Sequence, residues 1–87
     1  MITWAPEKRA ENIRKHGIDL ADAEHFDFVT AAIEEDRDAI GEQRFRAIGW
    51  IRDRLHFLAY TLRDEDTHVI SLRLATKKEY RRYAETS

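Results

Sequence analysis

The second half of the chain alternates apolar and polar residues with a period of two, which is typical of β-strands. Three such stretches occur, at 43–51, 55–62 and 68–74. Charged residues around Asp53 and at 64–66 separate them and favour turns. The pattern therefore predicts three consecutive strands joined by short turns.

The first third of the chain carries helix signals. A short strand at 2–4 precedes a helix at 6–16, in which proline occupies the first turn. Gly17 is suited to the left-handed conformation that ends a helix. Asp19 is a suitable N-cap for a second, short helix at 20–26. These signals predict two N-terminal helices.

The remaining parts of the chain carry weaker signals of secondary structure. Residues 28–34 resemble a strand with poor alternation, and the acidic stretch to Glu42 reads as a loop. Thr76, followed three residues later by Glu79, forms a capping box that begins a C-terminal helix. The predicted order is β-α-α-β-β-β-β-α, a single domain over 1–87. We expect an α+β fold with a small antiparallel β-sheet, two N-terminal helices and one C-terminal helix.

The last hairpin has two predicted faces. Pairing Arg63 with His68 across the turn assigns alternate residues to opposite sides. The side predicted to receive the helices holds Phe57, Ala59, Thr61, Ile70, Leu72 and Leu74. The other side, more polar, holds His56, Leu58, Tyr60, Leu62, Val69, Ser71 and Arg73. A partly apolar face with polar groups is typical of a binding surface.

Composition narrows the class of protein. The 87 residues include no cysteine, which removes disulfides and thiolate metal sites and fits a reducing compartment. The chain has no apolar run of membrane-spanning length and no signal-peptide pattern, so we expect a cytoplasmic protein without a membrane partner. The net charge of −2 argues against a uniformly basic nucleic-acid binder, although cations cluster at 8–16 and 77–82.

The residue types suggest chemistry without a metal or other cofactor. The four histidines have spacings that match no standard zinc motif, and no phosphate-binding glycine loop occurs. RNA cleavage can proceed with Arg, Lys, His and Glu, because RNA supplies its own 2′-hydroxyl nucleophile. Histidine can transfer protons, and cations can stabilise charge on the phosphate. Aromatic residues such as Trp4, Tyr60, Tyr80 and Tyr83 could stack a base, with core packing as the alternative.

An ordered set of short motifs covers nearly the whole chain. The set comprises Trp4, Pro6, Lys8 and Asn12, then Lys15–Ile18, Gly41–Phe45 with Gly49, Tyr60–Arg63, Val69–Thr76, Glu79 and Tyr83. In this order the motifs resemble the BrnT family of type II toxin–antitoxin systems. The resemblance implies a RelE-like fold and a metal-independent endoribonuclease that inhibits translation by RNA cleavage. It also implies a BrnA-like antitoxin with a ribbon-helix-helix part, through which the complex would bind operator DNA.

The resemblance also implies site residues. The catalytic candidates are Lys15, His16, Arg44, Arg63, Arg73 and Glu79, with Lys8 and Tyr83 as substrate-binding candidates. His16 is the best general acid or base, and the three arginines could grip phosphate. Lys77 and Lys78 join the substrate-binding candidates, because positive charge in a first helical turn is unfavourable unless it serves binding.

Several alternatives remain open from the sequence. The cations at 14–16 could simply cap their helix, and Arg73 could pair with Glu79, which could be a helix cap rather than a base. A second class of function is a non-catalytic module that binds a partner or nucleic acid. Cleavage of RNA without divalent metal would separate the two classes.

Overall fold

The computed structural model describes residues 1–37 and 40–86. Its strands are β1 (Ile2–Trp4), β2 (Ala32–Asp36), β3 (Arg44–Ile51), β4 (Arg54–Arg63) and β5 (Asp66–Leu74). Its helices are α1 (Pro6–His16), a 3₁₀ helix at Leu20–His25, and α2 (Lys77–Thr86). The predicted order of elements is confirmed, and the short second helix is of the 3₁₀ type.

The sheet is mixed rather than purely antiparallel. Its strand order is β1-β5-β4-β3-β2, in which β2 to β5 pair antiparallel and β1 pairs parallel with β5. The expectation of an antiparallel sheet is therefore wrong for one strand. Consecutive strands joined by tight turns must run antiparallel, whereas β1 reaches the edge of the sheet without a hairpin and is free of that constraint.

The predicted alternation of β4 is confirmed, and Val69 shares a face with Leu58 and Tyr60 as predicted, but the faces predicted for 71–74 are wrong because the register differs. Arg63 pairs with Asp66 around a two-residue turn, and a bulge lies opposite Ala59 and Tyr60. The bulge gives β5 one extra residue, which changes the side to which alternate residues point. The core face of β4 and β5 carries Leu58, Tyr60, Val69 and Leu72. The opposite face carries Phe57, Ala59, Thr61, Ser71 and Arg73.

The 3₁₀ helix covers the core face. Its Leu20 and Ala23 and the following Phe26 pack against the sheet with at most 6% exposure. Gly49 lies directly beneath Phe26, where an added Cβ would come within 2.7 Å of the ring. An alanine at this position would therefore force the Phe26 ring to shift.

Helix α1 lies beside the edge of β5 beyond the end of β1. Its left-handed cap is Gly17, at a φ of 69°. The buried Asn12 side chain donates to the Leu72 carbonyl at 2.7 Å and accepts from the Leu72 N–H at 3.2 Å. The Asn12 amide thus gives Leu72 the donor and the acceptor that a neighbouring strand would supply at this edge, and Nδ2 also donates to the Ile18 carbonyl at 2.8 Å.

Helix α2 packs on the face opposite the core. Its capping box is formed, because Thr76 N–H donates to Glu79 at 2.8 Å and Glu79 N–H donates to the Thr76 hydroxyl. Tyr83 lies edge-on to Trp50, with ring centroids 6.1 Å apart. Its hydroxyl donates to the Thr30 carbonyl. These contacts place α2 over one end of the sheet and leave a cleft beside it.

Strand β2 begins later than predicted. The Asp27 carboxylate accepts from the N–H groups of Val29 and Thr30 and from the Thr30 hydroxyl. These bonds hold 28–30 in a turn that precedes β2. Two residues of the predicted acidic loop, 38 and 39, lie outside the described residues.

Candidate active site

A cleft of about 450 Å³ opens between α2 and the exposed face of the sheet. We call it the arginine cleft. Its charged lining residues are Glu34, Arg46, Arg73, Glu79 and Arg82, and its apolar lining includes Ala32, Ile33, Ile48 and Phe57. With three guanidinium and two carboxylate groups, the cleft has a positive balance in a chain whose net charge is −2. It is suited to an anionic ligand with an apolar part.

Arg73 is the most rigidly held cation of the cleft. Its guanidinium donates to both carboxylate oxygens of Glu79, at 2.8 and 3.0 Å. It also lies over the Phe57 ring, 4.2 Å from the centroid. The side chain is 29% exposed, so one surface of the guanidinium remains open to the cleft. A fork of this kind fixes both position and orientation.

Glu79 connects the cleft to the helix cap. Its carboxylate accepts from Arg73 and from the Thr76 N–H. The Arg73 hydrogen bond is the main cause that lowers the pKa of Glu79 below its ordinary value. The carboxylate is therefore ionised at neutral pH. This geometry supports the predicted alternative in which Glu79 caps α2 and pairs with Arg73.

The opposite wall of the cleft is less tightly organised. One Glu34 oxygen is 3.3 Å from an Arg46 nitrogen, and the other is 3.4 Å from an Arg82 nitrogen. Both distances exceed the 2.7–2.9 Å that is usual for charge-assisted bonds. Nε of Arg46 is shielded from solvent and has no hydrogen-bond partner among the described residues.

A smaller cavity of about 130 Å³ lies between α1 and β5, and we call it the α1 groove. It is lined by Lys8, Glu11, Asn12, Lys15, His16, Ile70 and Ser71. Three predicted site residues, Lys8, Lys15 and His16, thus share one cavity. Lys15 is paired with Glu11 at 2.9 Å, on consecutive turns of the helix.

The arginine cleft and the α1 groove are neighbours along β5. Ser71 lines the groove and Arg73 lines the cleft, and these residues are two positions apart on the same sheet face. Alternate residues of a strand are separated by about 7 Å. The two cavities are therefore close enough for one extended ligand to contact both.

Two predicted catalytic residues lie elsewhere. Arg44 on β3 pairs with Thr61 on β4, whereas Arg73 on β5 pairs with Phe57 on β4. Thr61 and Phe57 are four residues apart along β4. That separation is about 13 Å along the sheet. Arg63 ends β4 and forms a fork with Glu42 at 2.7 and 3.0 Å, which lowers the pKa of Glu42. The predicted residues are thus distributed over three places rather than one cavity.

The predicted substrate-binding residues of α2 also differ in environment. Lys77 and Lys78 are exposed in the first turn, and neither lines the arginine cleft or the α1 groove. Tyr83 is half-buried against Trp50, so its ring packs α2 onto the sheet. Tyr60 is buried and stacked on Phe45, which makes it a core residue.

The sequence prediction omitted Glu34, Arg46 and Arg82 from the site. Arg46 occupies an alternating position of β3, which indicated only that it faces away from the core. Glu34 is its cross-strand neighbour on β2. The predicted β2 began four residues too early, so its register with β3 could not be predicted and Glu34 could not be paired with Arg46. No local sequence signal indicates that Arg82 of α2 approaches them.

Two classes of feature are absent from 1–37 and 40–86. No group of three or more His, Asp or Glu side chains there could hold a metal ion. No helix in the same residues is long and apolar enough to cross a membrane.

Comparisons with known proteins identify the family. The family described as "Ribonuclease toxin, BrnT, of type II toxin-antitoxin system" matches residues 4–79. The crystal structure of the Brucella abortus ribonuclease toxin BrnT, at 1.1 Å resolution, superimposes with a TM-score of 0.71 and 31% sequence identity. The similarity covers 87% of this chain and 96% of the Brucella chain. A search of curated proteins found no match. With a family match that spans most of the sequence, the chain belongs to the BrnT family of ribonuclease toxins of type II toxin–antitoxin systems.

Proposed function

We propose that the chain is an endoribonuclease that cleaves RNA without a metal ion and thereby inhibits translation in the cytoplasm. The observation that carries the proposal is Arg73, held over Phe57 by Glu79 with one surface open to a positively charged cleft. A rigid, oriented guanidinium can stabilise charge that develops on a phosphate, because it needs little reorganisation during the reaction.

The reaction follows from the chemistry of RNA. The 2′-oxygen attacks the adjacent phosphorus while a base accepts its proton, and the bond to the 5′-oxygen breaks as an acid protonates that oxygen. The products are a 2′,3′-cyclic phosphate and a 5′-hydroxyl. Arg73 stabilises the negative charge on the non-bridging phosphate oxygens during both bond changes.

His16 is the proposed proton-transfer residue. It is exposed at the end of α1 and lines the groove that adjoins the cleft. The scissile phosphate would lie between Ser71 and Arg73, with Lys8 and Lys15 beside the neighbouring backbone. Glu79 serves as the residue that orients Arg73, because its carboxylate is already engaged by Arg73 and Thr76.

As a type II toxin, the protein binds an antitoxin. We propose that this partner is BrnA-like, with a ribbon-helix-helix part, and that operator DNA is bound only through it. The slightly acidic net charge of the chain supports DNA binding through the antitoxin rather than through the toxin, because phosphate contacts supply most of the affinity of DNA-binding proteins.

One observation favours a second candidate, a non-catalytic module that binds a partner. Arg63, Arg73 and Lys15 are each already paired with a carboxylate of this chain. Cations that serve only to stabilise surface structure would show the same pairing.

Variant kinetics with antitoxin-free protein distinguish these candidates. We expect Arg73→Ala and His16→Ala each to lower the rate of RNA cleavage at least tenfold in the presence of a chelator. His25→Ala is the matched control, because His25 is an exposed histidine that lines neither cavity. Circular dichroism confirms that each variant is folded.

Each outcome has a definite meaning. Loss of activity in Arg73→Ala alone would show that His16 takes no part in proton transfer. Intact RNA with folded wild-type protein would refute the catalytic proposal and favour the partner-binding module.

A further inference from the structure

The two walls of the arginine cleft differ in how completely their charges are paired. On one wall, Arg73 and Glu79 form a one-to-one fork with bonds of 2.8 and 3.0 Å. On the other wall, Arg46 and Arg82 share the single carboxylate of Glu34 at 3.3 and 3.4 Å. The second wall therefore has one positive charge in excess and no short ionic bond.

Arg46 also has a donor that lacks an acceptor. Its Nε–H is shielded from solvent and unpartnered among the described residues, although the side chain as a whole is 43% exposed. A shielded donor without a partner costs free energy of the same order as a lost hydrogen bond. The Arg46 guanidinium is therefore incompletely satisfied in the free protein.

A phosphate group fits this arrangement. Its oxygens can accept from the planar guanidinium of Arg46 and from Arg82 at the same time, and arginine is well suited to such contacts. The apolar floor of the cleft, formed by Ile48 and Phe57, would lie beneath the sugar or base that accompanies the phosphate.

This second wall is distinct from the reacting centre. Arg46 is on β3, level with Ala59, whereas Arg73 is on β5, level with Phe57. The two residues are separated by two strand spacings across the sheet and two residues along it, or roughly 12 Å between Cα atoms. Different carboxylates hold the two guanidinium groups, Glu34 that of Arg46 and Glu79 that of Arg73.

We infer that Arg46 and Arg82 form a phosphate subsite that binds the RNA backbone next to the cleaved position, and that Glu34 competes with that phosphate. The inference rests on the proposed function, because it assumes that RNA is cleaved at Arg73. Glu34 occupies the subsite in the free protein and lowers its affinity for RNA. The subsite contributes to substrate binding and leaves the chemical step unchanged.

Substrate length tests this subsite. A dinucleotide has only the phosphate that is cleaved, whereas a tetranucleotide also has neighbouring phosphates. We expect Arg46→Ala to lower kcat/KM for the tetranucleotide about tenfold, through KM, and to leave dinucleotide cleavage unchanged. Loss of one phosphate contact also reduces the salt dependence of log Kd for single-stranded RNA by about 0.7.

Three further variants make the test specific. Arg46→Lys keeps the charge but removes the planar guanidinium, so it should show most of the decrease in tetranucleotide kcat/KM that Arg46→Ala shows. Glu34→Gln removes the competing carboxylate and should tighten tetranucleotide binding. Arg81→Ala is the matched control, because it removes an exposed arginine of α2 that does not line the cleft.

Binding of a 2′-O-methyl tetranucleotide, which cannot be cleaved, separates this inference from the proposed function. If wild-type protein cuts no RNA but Arg46→Ala still weakens this binding, the subsite stands and the proposed function fails. If wild-type protein does cut RNA, the subsite is refuted when Arg46→Ala affects dinucleotide and tetranucleotide cleavage equally, or affects neither. It is also refuted if Glu34→Gln does not tighten tetranucleotide binding. A third contrary result is that Arg46→Ala weakens only antitoxin binding, which would indicate that this wall binds a carboxylate of the antitoxin.

Discussion

Replacement of Glu79 by glutamine tests the link between the cap of α2 and the position of Arg73. Glu79 accepts from the Thr76 N–H and from both nitrogens of the Arg73 fork, and its side chain is only 16% exposed. A glutamine keeps the size of the side chain but has no charge and only one acceptor oxygen. The glutamine oxygen can still accept from the Thr76 N–H, so the change chiefly leaves Arg73 without a counter-charge.

The expected loss of stability follows from these contacts. An ion pair that is partly buried contributes about 1 kcal/mol, between the values for exposed and fully buried pairs. The free energy of unfolding should fall by about 1 kcal/mol, which corresponds to about 5 °C in Tm for a domain of this size.

The pH dependence provides a second readout. The pKa of Glu79 is lowered from its ordinary value of 4.5, chiefly by the Arg73 hydrogen bond. Its contribution to stability is complete above pH 4.5 and is lost as pH falls through the folded-state pKa. The stability difference between wild type and Glu79→Gln should therefore shrink on acidification.

Urea unfolding at several pH values measures both effects. Glu85→Gln is the matched control, because Glu85 is an exposed glutamate of the same helix. The reasoning is refuted if Glu79→Gln unfolds within about 0.5 kcal/mol of wild type at pH 7, the range of ordinary surface substitutions. It is also refuted if the difference is constant down to pH 3.

Three further predictions concern the scaffold. Gly49→Ala should lower the free energy of unfolding by about 1–3 kcal/mol in urea titrations, because the added methyl meets the Phe26 ring; an unchanged midpoint would contradict that contact. Asn12→Ala should cost about 1–3 kcal/mol, since it leaves the Leu72 N–H and C=O without partners, and hydrogen exchange at Leu72 should accelerate. Asp19, whose pKa the Arg9 hydrogen bond lowers from 3.8 to about 2, stabilises the fold above pH 3.8 and loses this effect as pH falls through 2. Asp19→Asn should therefore be less stable than wild type at pH 5, and the difference should disappear below pH 2, whereas a constant gap in the urea midpoint would argue against the ion pair.

Local signals in the sequence predicted the elements well. Pro6 and Gly17 delimit α1, and the Thr76–Glu79 box begins α2, because each signal acts through bonds within a few residues. Strand β3 also follows its alternation. These features need no knowledge of distant contacts.

Long-range features were not predictable in the same way. A bulge in β5 changed the faces of the last hairpin, and no residue type in that stretch requires a bulge. The parallel pairing of β1 with β5 joins segments more than 60 residues apart. The ordered motifs predicted Arg73 and Glu79 as site residues, and the two form a bidentate ion pair. The positions of Glu34, Arg46 and Arg82 in the same cleft depend on the strand register and on how α2 packs on the sheet.

The most direct test of the account is the chemical nature of the RNA ends that the protein produces. Antitoxin-free protein is incubated with RNA in the presence of a chelator, and the ends are identified by mass spectrometry. The account predicts 2′,3′-cyclic phosphates and 5′-hydroxyls, cleavage at least tenfold slower with Arg73→Ala, and no cleavage where the scissile nucleotide is 2′-deoxy. Products that end in a 3′-hydroxyl, or cleavage that requires a divalent metal, would contradict it.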